Sequence, residues 1–408
     1  MIELVRFRTV AFAIFAIAAS IPKTHAYSVL THEAIIDALW DPGFKQLILQ
    51  RYPATTPDQL LDAHAYAYGG CIIQDVGYYP FGSKLFSDLV HYARSGDFVD
   101  ALISEARDPN EYAFALGALA HYAADNNGHP IAVNKTVPLL YPKLRAKFGD
   151  EVTYAQSPAA HVKTEFGFDV VQVARGRYAP KAYHDFIGFH VSKDLMERAF
   201  EKTYDLRLKD VFGALDLTLG TYRRSVSVLI PEITKAAWAA KKTEILKADP
   251  EITRKRFLYV LSRSSYEKDW GVSYEKPGIG ARLIAFAMGI MPKVGPFRAL
   301  SFRVPTPATE FLFQKSFEIT VDRTRQYLNA VKAGKLKLDN RDFDTGKLAK
   351  AGEYSLADKT YAKLLEKLSA QKFQEVTPEL RANIISFYGG EKLADAKTQA
   401  ALAALKAI

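Results

Sequence analysis

The segment "DPNEYAFALGALAHYAADNNG", Asp108 to Gly128, constrains the fold more than any other. Asp108 is a helix N-cap residue, Pro109 suits the first helical position, and Glu111 stands at the capping-box position. Apolar and small residues then fill the helix until Asn126, Asn127 and Gly128, which read as its stop. The same grammar recurs in "TPELRANIISFYGG", with Thr377 as cap, Pro378 after it and Gly389 past the end. "SLADKTYAKLLEKLSA" opens on a capping pattern of Ser355 and Asp358, and a further helix is expected from Pro231. Alternating strand patterns are scarce, and no Asn-Gly or Asp-Gly hairpin turn lies between them. The expected fold class is therefore all-α.

Hydrophobic residues make up 49% of the 408 and charged residues 24%, the balance of a globular protein rather than a disordered one. Cys71 is the single cysteine, so no intramolecular disulfide forms, and an extracellular form must be held by its core or by metal. Residues 1–26 have the pattern of a secretory signal. Arg6 and Arg8 precede the apolar run "AFAIFAIAAS", and "THA" ends it with small residues, which places the cut between Ala26 and Tyr27. The run is short for a membrane span. A secreted or periplasmic protein is expected.

Charge divides what remains. Residues 27–248 hold 24 Lys/Arg and 26 Asp/Glu, together with every histidine outside the signal, whereas residues 249–408 hold 27 Lys/Arg and 18 Asp/Glu. The shift falls near Lys247–Glu251 and suggests a domain over 27–248 followed by a basic, mainly helical region over 249–408. A basic region meets an anionic lipid surface or a nucleic acid, or it is a solvated helical face rich in lysine. Within it, "IGARLIAFAMGIMPKVGPF" is apolar with basic residues on both sides, a pattern shared by membrane-interface segments and buried helices.

The chemistry-bearing residues sit in the first region. In "HYAADNNGHP", His121 and Asp125 are four apart and point the same way from a helix, about 40° apart around its axis. His129 follows after four more, either continuing that face or lying just past Gly128. His161 and Glu165 in "AAHVKTEFGFD" repeat the spacing. Asp75 in "CIIQDVGYYP", His91 in "SDLVHYA" and His32 in "YSVLTH" complete the group. A lone histidine on a helix is more often a hydrogen-bonded structural residue, but two such pairs with further His and Asp upstream form a ligand pattern. Imidazole and carboxylate together suit zinc. With Tyr27, the donors exceed what one ion takes, and Asp125 is placed to bridge.

The order "THEAI", "QDVGYYP", "LVHY", "HYAADNNGHP", "HVKTE" resembles the zinc-dependent phospholipase C family. It is similar also to the catalytic domain of glycosylphosphatidylinositol phospholipase D and, more distantly, to the fungal single-strand nucleases of the same fold. The resemblance covers roughly residues 27–245. It implies an all-helical domain with three zinc ions. Asp75, His91, His121 and Asp125 would hold the first; His129, His161 and Glu165 the second. Asp125 would bridge to a third, completed by His32 and by the amino group and carbonyl of Tyr27. Asp75 would also accept a proton. The implied reaction is attack on a phosphodiester by hydroxide formed at clustered zinc.

Two departures stand out. Bacterial phospholipases and nucleases of this type begin with tryptophan where this chain has Tyr27, although backbone atoms do the ligation there. The short Asp125–His129 gap resembles the phospholipase D branch, and the nuclease arrangement usually carries disulfides that one cysteine cannot make. A phospholipid is therefore the expected substrate, with peripheral contact to an anionic membrane surface. A nuclease or nucleotidase and a non-catalytic metal-binding protein are the alternatives, nucleic acid being disfavoured by the lack of interleaved stacking aromatics in the basic half.

Overall fold

Caps set the helix starts much as their residue types dictate. The Asp108 carboxylate accepts from the Glu111 N–H at 2.8 Å, and Thr377 accepts from the Leu380 N–H. Gly389 closes its helix at a left-handed φ of 41°, a conformation that glycine enters without a Cβ penalty. The computed structural model describes residues 28–79, 81–174, 189–225, 243, 302–374, 376–389 and 395–408. The signal segment and its cut, Tyr27, the helix from Pro231, the boundary near 247–251 and the apolar stretch 279–297 lie outside the described residues.

Among the described residues the helices are, in chain order, α1 (Val29–Leu39), α2 (Lys45–Arg51), α3 (Pro57–Ile72), α4 (Lys84–Tyr92), α5 (Ser95–Glu105), α6 (Pro109–Gly128), α7 (Asn134–Leu140), α8 (Pro142–Phe148) and α9 (Pro158–Ala174). There follow α10 (Lys193–Tyr204), α11 (Leu208–Val211), α12 (Leu215–Arg224), α13 (Pro307–Lys332), α14 (Ser355–Ala370), α15 (Pro378–Tyr388) and α16 (Ala396–Ala407). A 3₁₀ turn, Ile73–Tyr78, follows α3, and π-helical turns span Trp40–Phe44 and His129–Val133. The described residues contain no strand, and an isolated antiparallel bridge joins Arg341 to Leu348. The all-α class is observed. No described helix is long and apolar enough to cross a membrane.

Two local expectations are corrected. Asn126, Asn127 and Gly128 end α6 but do not break the helical run. Gly128 keeps a right-handed φ of −61°, and the chain runs on through the π turn into α7. Pro130 explains the widening, because it brings no N–H to the helix ladder and its ring crowds the preceding turn. The asparagines instead bond back along the helix, Asn126 to the Tyr122 carbonyl and Asn127 to the Ala123 carbonyl. Ser355 likewise is the first residue of α14 rather than its cap. Tyr354 precedes it without a side-chain capping bond, and Asp358 accepts from the Gly352 N–H.

Helices α3 and α6 form the centre of the packing, and glycines let them touch. A Cβ on Gly70 would lie 1.8 Å from the Phe114 carbonyl oxygen, and one on Gly117 would lie 2.1 Å from that of Ala67. The main apolar cluster includes Ile35, Tyr68, Phe114 and Leu119 as well as Phe313, Tyr361 and Leu405. The helices beyond residue 306 therefore share the core of the first region. Helix α13 lies against α1, α6 and the second π turn, with Phe313 stacked on Phe168 of α9 at 4.6 Å, and α14 lies against α4. Gly117→Val should force α3 and α6 apart and lower stability by about 2 kcal/mol or more. Urea denaturation measures it, and an unchanged midpoint would contradict the close approach.

Candidate metal centre

The donors are presented by helices and turns whose hydrogen bonds hold them in place. Helix α1 carries His32, and its N-terminus is capped from α9. Asp169 accepts from the Leu30 N–H at 3.2 Å and from the Thr31 hydroxyl at 2.6 Å. Asp75 sits in the 3₁₀ turn, which Ser87 of α4 clamps by donating to the Gln74 carbonyl and accepting from the Gly77 N–H at 2.9 Å. Helix α4 carries His91, α6 carries His121 and Asp125, the π turn carries His129, and α9 carries His161 and Glu165. All eight are buried. Tyr27 lies outside the described residues.

Backbone carbonyls decide which imidazole nitrogens face the centre. His91 Nδ1 lies 2.8 Å from the Ser87 carbonyl and His121 Nδ1 lies 2.9 Å from that of Cys71, while His161 Nε2 lies 2.6 Å from that of Val152. A carbonyl only accepts, so these nitrogens carry protons, and in the neutral imidazole the opposite nitrogen offers its lone pair inward to a metal. The tight α3–α6 contact is what brings the Cys71 carbonyl to His121. These orienting groups have no sequence signature.

The inward atoms gather around two neighbouring centres, the first made of two overlapping groups, Asp75–His91–His121 and His32–His121–Asp125, that share His121. His91 Nε2 lies 3.4 Å from Asp75 Oδ1, 3.4 Å from Asp125 Oδ2 and 3.4 Å from His121 Nε2; His121 Nε2 lies 3.3 Å from Asp125 Oδ2. The other Asp125 oxygen, Oδ1, faces His32 Nε2 at 3.5 Å. His129, His161 and Glu165 form the second set, with His161 Nδ1 lying 3.8 Å from Glu165 Oε1. Donors held 2.0–2.1 Å from one tetrahedral zinc stand about 3.3–3.4 Å apart, which is the spacing of the first set. Asp75 Oδ1, both Asp125 oxygens and His161 Nδ1 are buried without a hydrogen bond of ordinary geometry. Buried carboxylate oxygens in that state call for a cation. The residues fit zinc.

Burial also prepares the imidazoles. It pushes His32 down to about 4, helped by the neighbouring His121 ring, and pushes His161 down to about 4 against the Val152 carbonyl. It holds His129 well below the usual histidine range. Neutral imidazole is the form that ligates. His91 goes the other way. Burial lowers it, but the carboxylates of Asp125 and Asp75 outweigh burial and raise it to about 9. Asp125 is driven well below the carboxylate range, burial being outweighed by His121 and His91. Without metal, a proton on His91 supplies the positive charge that the two aspartates require.

One acidic residue in this neighbourhood has no counterpart in the sequence reading. Asp344, beyond α13 in the loop "DNRDFDTG" (residues 339–346), is fully buried, and its Oδ1 lies 3.2 Å from His129 Nδ1. Burial pushes its carboxyl up to about 7, against the hydrogen bonds from Tyr354 and Tyr154. It stands 215 positions from His129, in a loop with two other aspartates within the basic region, with no helical spacing to mark it.

Residues 31–214 match the family model described as zinc dependent phospholipase C. That match supports the resemblance to the zinc-dependent phospholipase C family over that segment. The match contains Asp75, His91, His121, Asp125, His129, His161, Glu165 and His32, and ends well before Asp344. No curated protein and no solved structure matches the chain. In a zinc-dependent phospholipase C domain the buried donors lose their counter-charge when metal leaves. Zinc at 100 times its Kd stabilises a fold by about 2.7 kcal/mol. Chelation should therefore lower the thermal midpoint by several degrees, and zinc should restore it. A midpoint indifferent to both would contradict the metal reading.

Proposed function

We propose that the protein hydrolyses phosphodiesters in a zinc-dependent reaction and that its substrates are phospholipids. The observation that carries this reading is the division of Asp125, one oxygen toward His91 and His121 and the other toward His32, beside a second set of His129, His161 and Glu165. Such a division suits a carboxylate that bridges two ions. In this reading Asp75, His91, His121 and Asp125 hold one zinc, and His129, His161 and Glu165 hold another. Asp125 shares a third with His32 and the backbone of Tyr27. Buried Ser28, whose carbonyl accepts from the Thr31 N–H at 3.0 Å, and the capped start of α1 support that last assignment, since they fix the Ser28 backbone beside His32. It requires a free amine at Tyr27, hence a cut after Ala26 and a secreted or periplasmic location.

When bound, clustered zinc supplies a water of lowered pKa and positive charge for the phosphate oxygens. The chain's own residues do the rest. The Ser87, Cys71 and Val152 carbonyls keep His91, His121 and His161 in the ligating tautomer and orientation. Apolar packing around the donors excludes bulk water and strengthens their electrostatics. In this reading the Asp75 carboxylate, besides ligating, also accepts a proton. The basic region beyond residue 249 is assigned the peripheral contact with an anionic membrane surface.

Purified mature protein, assayed on phosphatidylcholine, phosphatidylinositol and single-stranded DNA with and without chelator, separates the readings. Chelator-sensitive release of a phosphorylated head group or of diacylglycerol is expected. Cleavage of DNA alone would move the protein to the nucleases, and no turnover by the zinc-loaded protein would leave a binding protein.

A further inference from the structure

The loop of residues 339–346 is built against the metal centre. Its backbone is tied down along its length. Tyr122 of α6 donates to the Asp339 carbonyl, and Asn340 Oδ1 accepts from the Gly96 and Asp97 N–H groups of α5. Ser95 donates to the Arg341 carbonyl, and the Phe343 N–H donates to the His91 carbonyl at 3.2 Å. The Phe343 ring packs edge-on against His91 at 5.1 Å. Asn134, just past the π turn, donates to the Asp344 carbonyl at 2.8 Å. Gly346 closes the loop at a φ of 68°, where a Cβ would lie 2.6 Å from the Asn126 carbonyl oxygen. Only glycine fits both conditions.

This scaffold presents one carboxylate inward. Asp344 Oδ2 accepts from the Tyr154 N–H at 2.8 Å and from the Tyr354 hydroxyl. Its Oδ1 is buried, makes no hydrogen bond of ordinary geometry and lies 3.2 Å from His129 Nδ1. A carboxylate with one oxygen saturated and the other aimed at an imidazole nitrogen of a metal set has the arrangement of a monodentate ligand. The 3.2 Å separation is close to that of two donors on one zinc.

We propose that Asp344 Oδ1 is a direct ligand of the second zinc, alongside His129, His161 and Glu165, so that the region beyond the family segment completes the centre. The inference rests on the zinc reading above. A fourth protein donor closes a tetrahedral set, with expansion to five when water or a phosphate oxygen joins. It also makes the C-terminal region a requirement for metal retention rather than an appendage.

The test is a zinc-edge anomalous diffraction measurement on the zinc-loaded, full mature protein, joined to zinc affinities from competition with a chromophoric chelator. Asp344 Oδ1 is expected about 2.0–2.2 Å from an anomalous peak. Zinc bound elsewhere, with Asp344 farther than about 3 Å from every peak, would overturn this inference and leave the zinc reading intact. No zinc uptake at all would overturn both. Asp344→Asn keeps the oxygen that Tyr154 and Tyr354 bind, and should weaken one zinc at least about tenfold. The same change in a His129→Ala background should weaken that ion further. If it is silent there, Asp344 only orients His129, and ligation is refuted.

Discussion

The structure turns on one buried carboxylate. Asp125 places each oxygen against a different imidazole neighbourhood in a fully buried site, and a charge buried there is sustained by cationic neighbours. His91, carrying a proton up to about 9, meets that need without metal, and a divalent ion meets it more completely. The surrounding architecture follows from holding those groups still. The α3–α6 glycine contact places the Cys71 carbonyl on His121, and Ser87 fixes both the Asp75 turn and, through its own carbonyl, His91.

Helical geometry then distributes the remaining donors. The pair His121 and Asp125 shares a face of α6 because residues four apart must. His129 would drift along the same helix, but the π turn at Pro130 changes the winding, and His129 joins His161 and Glu165 instead. A single long segment thus feeds both sets. The helices after residue 306 share the core, and the loop that precedes α14 reaches the second set with Asp344.

The sequence was most informative where function is written in local spacing. The i, i+4 pairs, the all-helical class and the caps at Asp108 and Thr377 follow from helix geometry and capping chemistry, which act over a few residues. Asn126–Gly128 misled because Asn and Gly read as helix stops by residue type alone, whereas both asparagines bond back to carbonyls of their own helix and the winding changes only at the π turn that contains Pro130. Asp344 was invisible for another reason. A loop residue brought 215 positions back to His129 by tertiary packing leaves no periodic trace, and an Asp among other polar loop residues reads as surface. The orienting carbonyls of Ser87, Cys71 and Val152 belong to backbone and have no residue type to announce them.

The sharing of Asp125 is tested most directly by counting zinc per chain, by elemental analysis, in the wild-type protein and in Asp125→Ala. The account predicts about three ions in the first, and a loss of more than one in the second, since a bridging carboxylate serves two sites. A wild-type protein that binds no zinc, or an Asp125→Ala protein that keeps the full complement, would contradict it.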